Sequence, residues 1–572
     1  MKETVVIIGG VAAGPKVACR LKRLNPEAEI TIIDQDDLIS YGGCGIPYFV
    51  SGDVSDEKEL RSTSFHAVRN EAFFEDAKGV HVLTKTRADS IDRKNRQVTV
   101  TRLDSHRKEN IPYDKLVIAT GATPNLPPIP GAELDGVHRI SDMHQAIAIK
   151  EKLAKGKVGK AIVIGGGAIG VEMAESFADL WGVETTIIEL MPQLLPRAVD
   201  PIFATMLTTH LNKNGVNVLV NESVQTIAQS DNGYRVETDK RSMDADIIVM
   251  AVGVRPRSEI AQKAGLLVSP RGGIIVNNRL QTSDPNIYAA GDCIETTNLV
   301  SGQKFHAPFG SLANREGRIV ADNLAGIPST FTGVIGSFIM KAFDISIGCT
   351  GLSLEAARRE GFDADRVITA QSDRAHFFPT QAIIPLQMVF ERTTRRVLGL
   401  QGFGPMGDAV LARLDAAAAL IGKGAVIEDF INLEMAYAPP FSTALDALNA
   451  TANVAENAIA GRLRTVEIEE FLAWMDDMAA KYDWVALDVR HPVEAEPFKE
   501  KFKEQWLTIP YVEVRKRHQE IPADKTLIII CDAGTRSYEI QCFLDSIGLR
   551  NSLVLGGGFN LVRRISIDWW PN

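Results

Sequence analysis

The chain has 572 residues, enough for three or four domains of ordinary size, which excludes a single small module. Hydrophobic residues make up 45% and charged residues 23%, which excludes extensive disorder, and the net charge of −10 disfavours nucleic acid or a membrane surface as a partner. Since no apolar run is long enough to span a bilayer and no signal peptide is recognisable, we expect a cytoplasmic location.

The first predicted unit is a strand, a glycine turn, a helix and a second strand. The β-branched strand Thr4–Ile8 is followed by Gly9, Gly10 and Gly14, and the second strand is followed by Asp34. Glycines let the backbone approach a pyrophosphate at a helix N-terminus, and the acid accepts hydrogen bonds from ribose hydroxyls. The pattern therefore predicts a dinucleotide site, although Val11 replaces its middle glycine.

A second copy of this pattern begins about 156 positions later in the chain. Strand 161–164 runs into Gly165-Gly166-Gly167-Ala168-Ile169-Gly170, and a further strand ends at Glu189. Two copies, each with its own acid, predict two dinucleotide sites, as in an electron-transfer enzyme. Glu189 would repel a ribose 2′-phosphate, so the second site should prefer NADH to NADPH.

The six cysteines are isolated from one another, which predicts no metal site and no internal redox disulfide between near neighbours. Cys44 lies in the phrase Ser40-Tyr-Gly-Gly-Cys-Gly-Ile-Pro-Tyr48, where small residues leave the sulfur approachable. Pro47 suits the first turn of a helix, whose dipole would favour the Cys44 thiolate. These features predict a redox-active thiol.

A second thiol motif lies near the C-terminus. Strand Leu527–Ile530 delivers Cys531-Asp-Ala-Gly-Thr-Arg536-Ser537, and a helix is predicted to follow over 538–546. Such a loop aims several N–H groups at one sulfur, and Arg536 adds positive charge. Upstream, a helix is predicted over 467–480. The loop resembles the active-site loop of rhodaneses, and this resemblance implies that Asp488 and Arg490 form a structural ion pair.

Residues 1–325 resemble the FAD- and NAD(P)H-dependent disulfide reductases of the two-dinucleotide-fold flavoprotein class. The resemblance rests on both glycine motifs, on the strand before Ala119-Thr120-Gly121 and on the strand before Gly291-Asp292. It implies FAD binding by Gly9, Gly10, Ala12, Ala13, Gly14, Asp34, Ser40, Ala119, Thr120, Gly121, Gly291 and Asp292. It implies NADH binding by Gly165, Gly167, Ala168, Ile169, Gly170, Glu189 and Gly253.

The Cys44 phrase resembles the single-cysteine branch, which includes coenzyme A-disulfide reductases, persulfide reductases and NADH oxidases or peroxidases. The branch implies a catalytic Cys44 that receives electrons from NADH through FAD. Its dimerisation domain, expected over 326–455, implies a homodimer in which Tyr437 assists the leaving thiolate in the partner's site. Coenzyme A is a further candidate ligand, for Lys16, Arg20 and Arg23. The chain departs from the reductases at Gly43, Ala168 and the Phe377-Phe378 pair.

The motif at Cys531 resembles the rhodanese active-site loop, which implies catalytic roles in sulfur transfer for Cys531 and Arg536. The expected architecture is α/β. It comprises an FAD domain (1–150, with 275–325 returning to it), an NADH domain (151–274), an α+β dimerisation domain (326–455) and an α/β rhodanese domain (465–572).

These features predict an NADH-dependent flavoprotein reductase of coenzyme A persulfide or disulfide, or of polysulfide, with sulfane sulfur handled at Cys531. One alternative is an NADH oxidase or peroxidase in which Cys44 cycles through a sulfenic acid. The other is a sulfur carrier or redox-sensing module that passes a persulfide from Cys531 to a partner.

Overall fold

The computed structural model describes residues 3–140, 142–231, 233–476 and 483–565. The chain divides into two compact units, the first comprising 1–192 and 214–334 and the second comprising 193–213 and 335–572. The α/β class predicted from the sequence is confirmed. The predicted boundaries of the four domains stay predictions, and the segment 193–213 clusters with the second unit.

The first unit contains two parallel five-stranded sheets of the same design. In each sheet the strand that precedes the glycine motif is central, because its β-branched residues are buried on both faces. The first sheet has the order β18 (Ile287–Ala289), β7 (Lys115–Ile118), β1 (Thr4–Ile8), β2 (Glu29–Ile33), β3 (His81–Leu83). The second has the order β12 (Val216–Leu219), β11 (Glu184–Ile188), β10 (Lys160–Ile164), β16 (Ile247–Met250), β9 (Val137–His138).

Each copy also carries a three-stranded antiparallel meander, which the sequence had not predicted. The meanders are β4 (Thr86–Asp92), β5 (Gln97–Arg102), β6 (Lys108–Pro112) and β13 (Val224–Ser230), β14 (Gly233–Thr238), β15 (Ser242–Ala245). Two antiparallel ribbons complete the strands of this unit: β8 (Ala122–Pro124) with β17 (Val254–Pro256), and β19 (Thr296–Thr297) with β20 (Lys304–Phe305).

The helices of the first unit are α1 (Ala13–Leu24), α2 (Ile46–Ser51), α3 (Glu57–Leu60), α4 (Glu71–Lys78), α5 (Met143–Ala154), α6 (Ala168–Ala178), α8 (Glu259–Lys263) and α9 (Gly310–Leu324). Helix α1 packs against α9 at Gly317, where an added Cβ would lie 2.8 Å from the carbonyl oxygen of Ala13. Helix α2 packs against α6. Their contact brings the segment that holds Cys44 next to the helix of the second glycine motif.

The second unit contains an antiparallel five-stranded sheet in the order β21 (Phe338–Ala342), β22 (Ile345–Gly351), β25 (Val397–Pro405), β24 (Ile383–Glu391), β23 (Ala364–Ser372). The helices that accompany it are α7 (Pro201–Lys213), α10 (Leu354–Arg359), α11 (Asp408–Ile421), α12 (Ile427–Ile431) and α13 (Ala447–Ile459). Both long helices after the sheet strands, α11 and α13, pack on the sheet.

A parallel five-stranded sheet forms the C-terminal part, in the order β26 (Thr465–Val466), β30 (Ser552–Leu555), β29 (Thr526–Ile530), β27 (Trp484–Asp488), β28 (Trp506–Thr508). Its helices are α14 (Ile468–Asp476), α15 (Pro492–Phe502), α16 (Val514–Arg517), α17 (Thr535–Ser546) and α18 (Gly558–Ile565). The predicted strand before Cys531 is confirmed, and α17 begins three residues earlier than predicted. The predicted helix over 467–480 is observed as α14, and its last four positions lie outside the described residues.

The predicted ion pair between Asp488 and Arg490 is confirmed. Arg490 Nη2 lies 2.6 Å from Asp488 Oδ2, and neither side chain is exposed. The indole N–H of Trp506 also donates to Asp488 Oδ2, at 3.2 Å, and the guanidinium lies 4.1 Å from the ring centre of Phe559. The ion pair lies at the carboxyl end of β27, which pairs along its length with β29, the strand that leads to Cys531.

Candidate functional site

The first glycine motif forms a tight turn whose shape only glycine allows. Gly9 has φ = +117°, and an added Cβ there would lie 2.0 Å from the carbonyl oxygen of Ala119. At Gly14 an added Cβ would lie 1.9 Å from the carbonyl oxygen of Gly9. Ala12 caps α1 and Ala13 begins it, so the helix N-terminus faces the turn, as a pyrophosphate site requires.

The second motif repeats these contacts. Gly165 has φ = +109° and lies against the carbonyl oxygen of Ala251, and an added Cβ on Gly170 would lie 1.9 Å from the carbonyl oxygen of Gly165. Helix α6 begins at Ala168 and Ile169. A Cβ added to Gly167 would meet no protein atom within 4 Å, which leaves room for a ligand to approach the backbone.

Both acids at the strand ends hold their glycine loops. Asp34 accepts hydrogen bonds from the N–H groups of Gly10 (2.6 Å) and Asp36 (2.9 Å). Glu189 accepts from Gly166 (2.6 Å) and Met191 (2.7 Å). Burial raises the pKa of Asp34, and these main-chain hydrogen bonds oppose the rise. Since a carboxylate has about four acceptor positions, each acid keeps capacity for ribose hydroxyls.

The remaining residues predicted for the cofactors lie at the ends of neighbouring strands. Thr120 and Gly121 follow β7, and the Thr120 hydroxyl donates to the carbonyl of Arg257 at 2.5 Å. Gly253, with φ = +87°, follows β16 and accepts a hydrogen bond from the N–H of Asn125 at 2.9 Å. These turns lie at the carboxyl ends of strands in the two parallel sheets, which is where such folds bind dinucleotides.

Gly291 and Asp292 follow β18, and a buried acid that the sequence analysis missed supports them. The N–H of Gly291 donates to Glu316 Oε2 at 2.7 Å. Burial raises the pKa of Glu316 to about 7, and burial also raises the pKa of Asp292. Glu316 lies on the buried stripe of α9 together with Leu312 and Val320, and this placement of an acid among apolar positions could have revealed it.

Cys44 lies in a 3₁₀ turn, Gly43–Gly45, immediately before α2, and its side chain is exposed. The turn is fixed by Ser40, whose N–H donates to the carbonyl of Gly10 at 2.8 Å and whose φ is +53°. A Cβ added to Gly310, the first residue of α9, would lie 3.5 Å from the Cys44 sulfur. The thiol is therefore accessible and lies between two helix N-termini of the first unit.

Two ionisable side chains on the helices next to this thiol, Tyr48 on α2 and Glu172 on α6, were absent from the predicted set. Burial, with the nearby Glu172 and Glu175 carboxyls and Cys44, raises the pKa of Tyr48 to about 12. Burial and the neighbouring Glu175 raise the pKa of Glu172, on α6, to about 7. Glu172 belongs to the helix that packs on α2, and its carboxyl, which acts on Tyr48, is partly protonated at neutral pH.

The basic residues predicted for coenzyme A divide into two groups. Arg20 forms an ion pair with Asp322 on α9, with Nε 2.8 Å from Oδ1. Lys16 and Arg23 instead surround Cys19, together with Arg69 and Lys78, which the sequence analysis missed. Burial raises the pKa of Cys19, and these four cations oppose the rise. Arg69 and Lys78 belong to no recognisable sequence motif, so their position near Cys19 becomes visible only in the folded structure.

Tyr437 and the loop after Cys531 line one cavity of about 630 Å³ in the second unit. His376 and Phe377 also line it, together with Ala533 to Thr535 and Tyr538. Tyr437 is half exposed and Phe377 is 68% exposed. Apolar atoms supply most of the surface of this cavity, and Tyr437 and Tyr538 are among the polar residues of its lining.

The Cys531 sulfur is buried and accepts a hydrogen bond from the N–H of Gly534 at 3.1 Å. Gly534 adopts φ = +90°, which turns the loop into the N-terminus of α17. The Arg536 guanidinium forms an ion pair with Asp532 rather than with the thiol. Ser537 is fully buried, and its hydroxyl has no hydrogen-bond partner among the described residues.

The glycine loops and the thiol between them define a flavin- and nicotinamide-dependent oxidoreductase with one redox cysteine. The family model "Pyridine nucleotide-disulphide oxidoreductase" matches residues 3–307, and the model of its dimerisation domain matches residues 338–448. The chain therefore belongs to the pyridine nucleotide-disulphide oxidoreductase family, and FAD and a nicotinamide dinucleotide are its cofactors.

Individual relatives agree with this family assignment. A protein from Methanocaldococcus jannaschii named NADH oxidase is 34% identical over 78% of this chain and 97% of its own. A Pyrococcus horikoshii protein named NAD(P)H coenzyme A polysulfide/persulfide reductase is 34% identical over 79% of this chain and 98% of its own. A solved NAD-dependent persulfide reductase from A. fulgidus is 39% identical, with a TM-score of 0.92, over 98% of this chain and 99% of its own.

These comparisons confirm the resemblance inferred from the two glycine motifs and the Cys44 phrase. The A. fulgidus structure also covers the C-terminal α/β part, which the two family models do not reach. Within the described residues, no helix has the length and apolar character needed to cross a membrane. The roles of the individual site residues stay predictions.

Proposed function

We propose that this protein reduces persulfides, disulfides or polysulfides of small thiols, with coenzyme A as the thiol carrier and NADH as the electron donor. We further propose that it acts as a homodimer in the cytoplasm. The observation that carries the reductase proposal is the accessible Cys44 sulfur between the N-termini of α2 and α9. By contrast, burial raises the pKa of Cys293 to about 11 and that of Cys349 to about 12, which disfavours their thiolates.

In the proposed reaction, the Cys44 thiolate attacks the sulfur–sulfur bond of a persulfide. Attack on the inner sulfur forms a mixed disulfide with the carrier and releases hydrosulfide. Two electrons and one proton then regenerate the Cys44 thiolate and release the carrier thiol. When bound, FAD supplies the transfer of these electrons from NADH. We propose Glu172, which its pKa of about 7 leaves partly protonated at neutral pH, as the source of this proton.

Coenzyme A carries phosphates, and the basic group of Lys16, Arg23, Arg69 and Lys78 supports it as the carrier. Helix α1 presents Lys16 and Arg23, and the same helix begins at the first glycine motif. Arg20 contributes through its ion pair with Asp322, which fixes α1 against α9. We expect Arg69 and Lys78 to matter for coenzyme A affinity as much as the residues predicted from the sequence.

The shared cavity of the second unit supports transfer of sulfane sulfur at Cys531. An apolar space of about 630 Å³ bordered by Tyr437 and by the loop 533–535 can hold the flexible arm of a thiol carrier. The carrier sulfur would then reach the loop that holds Cys531. Opening of the loop at Gly534 is required, because the Cys531 sulfur is buried.

The test is sulfide release from coenzyme A persulfide, followed with NADH consumption, in three single variants. We expect Cys44→Ser to abolish NADH-dependent sulfide release. Cys531→Ser should keep it with preformed persulfide but lose sulfur transfer from thiosulfate. Cys542→Ser is the matched control, because this exposed thiol on α17 lies outside both motifs. Full NADH-dependent release by Cys44→Ser would contradict the proposal.

A second candidate function is supported by the M. jannaschii relative named NADH oxidase. In that case Cys44 would cycle through a sulfenic acid during the reduction of oxygen or peroxide. Consumption of oxygen or peroxide with NADH, without any thiol substrate and at rates above those with persulfide, would favour this function.

A further inference from the structure

A second cavity, of about 220 Å³, lies in the unit formed by 193–213 and 335–572. We call it the α7–α18 pocket, since His210 and Lys213 of α7 and Arg563 and Arg564 of α18 line it. Asp344, between β21 and β22, is the acidic residue of the described lining. None of these residues has a part in the proposed reaction, so the pocket is a separate feature of the molecule.

Arg564 is the central cation of this pocket. Its Nη2 donates to the carbonyl of Ile383 at 2.9 Å and its Nη1 donates to the carbonyl of Asn560 at 3.1 Å. Both acceptors are neutral, and among the described residues no carboxylate forms an ion pair with this guanidinium. Burial lowers the pKa of Arg564. A partly buried cation without a counter-charge is costly, and a bound anion would offset that cost.

The charged side chains of the described residues around the pocket are mostly basic. Arg563 pairs with Glu494 at 3.2 Å, and His210 Nε2 lies 3.1 Å from Asp344 Oδ1. Lys213, in the last turn of α7, is exposed at the pocket edge. Among the described residues, Lys213, Arg563 and Arg564 of the lining are cationic, whereas Asp344 and Glu494, the partner of Arg563, are acidic. This excess is notable in a chain whose net charge is −10.

We propose that the α7–α18 pocket binds a phosphate group, held by the Arg564 guanidinium and the Lys213 ammonium. The cavity equals the space of roughly seven waters at about 30 Å³ each, which admits a tetrahedral dianion with a few waters. Arginine and lysine are the side chains that proteins use for such dianions. The phosphate comes either from free inorganic phosphate or from a phosphomonoester whose remainder extends outside the pocket.

Calorimetric titration of the holoenzyme tests this proposal, with inorganic phosphate in one arm and AMP in the other. Chloride at matched ionic strength is the reference. We expect saturable binding of phosphate, weakened at least tenfold in Arg564→Met and about threefold to tenfold in Lys213→Glu. AMP binding that is tighter than phosphate binding and is weakened in Arg564→Met and Lys213→Glu identifies a phosphomonoester as the ligand of the pocket. Pocket-dependent AMP binding that is equal or weaker identifies the free ion.

Lys423→Met is the matched control, since Lys423 is an exposed lysine of the same unit outside the pocket lining. Phosphate bound at the nucleotide sites would be unaffected by either pocket variant. Heats indistinguishable from those of chloride, or an unchanged affinity in Lys213→Glu, would overturn the proposal. If Arg564→Met does not fold, Lys213→Glu alone decides, because its side chain is exposed.

Discussion

The substitution Gly167→Ala in the second glycine motif should weaken cofactor binding without destabilising the fold. Gly167 has φ = −75°, which alanine adopts without strain, and an added Cβ would meet no protein atom within 4 Å. The stability of the protein should therefore change by no more than about 1 kcal/mol. The same methyl group would enter the space above the loop, where the dinucleotide pyrophosphate is expected.

Overpacking of a filled site by one methyl group costs typically 1–3 kcal/mol, which corresponds to a roughly 5- to 150-fold loss of affinity. We expect the KM for NADH to rise in that range while the bound FAD is retained. The assay combines anaerobic flavin reduction over a range of NADH concentrations with a thermal melt. Gly170→Ala should lower both stability and NADH binding, because its Cβ would lie 1.9 Å from the Gly165 carbonyl oxygen.

Gly159→Ala is the neutral control, because Gly159 precedes β10 and a Cβ there would be 3.4 Å from Asp246. If Gly167→Ala binds NADH with unchanged affinity, no pyrophosphate lies above Gly167, and the assignment of this loop to NADH is wrong. If Gly167→Ala also lowers the melting temperature strongly, the open space seen above the loop is not a ligand site.

Three further predictions concern charge. Glu189→Ala should lower the preference for NADH over NADPH, measured as the ratio of their kcat/KM values, by at least tenfold, because it removes the acid that repels a 2′-phosphate. An unchanged ratio in steady-state assays would contradict this. Since the pKa of Glu172 is raised from 4.5 to about 7, the folded state keeps a proton that the unfolded chain loses above pH 4.5, so this residue lowers stability progressively from about pH 4.5 to 7. Glu172→Gln should therefore flatten the fall in melting temperature over that range, whereas a parallel curve would refute the pKa shift. Arg490→Met leaves the buried Asp488 carboxylate without its ion-pair partner and should destabilise the C-terminal part by about 3–5 kcal/mol. Sulfur transfer should be lost, whereas flavin reduction by NADH should be kept. An unchanged melting transition would contradict this prediction.

The repeated βαβ units could be predicted because their determinants are local. A buried β-branched strand, a glycine turn and an acid at the next strand end lie within about 30 residues of one another in each copy. The strand before Cys531 was predicted for the same reason. The antiparallel meanders could not be, since their strands alternate weakly and are half exposed, as in β6.

The surroundings of Cys44 depend on contacts between residues far apart in sequence. The sulfur lies near Gly310, and Glu172 comes from a helix of the other glycine motif. Similarly, Arg20 could be placed on the basic face of α1, but its ion pair with Asp322 depends on how α9 packs. Residue type and spacing cannot encode such pairings, so the sequence identified the thiol but not the groups that the fold brings around it.

The bonds from Asp34 and Glu189 to the glycine N–H groups have a consequence for how the dinucleotides are captured. Each loop is locked into its final shape by a side chain of the same domain, so this ordering is complete once the chain has folded. An arriving cofactor meets a rigid receptor, and little of its affinity is lost to immobilising the backbone. The nicotinamide dinucleotide can then exchange at every turnover without any reordering of the glycine loop that binds it.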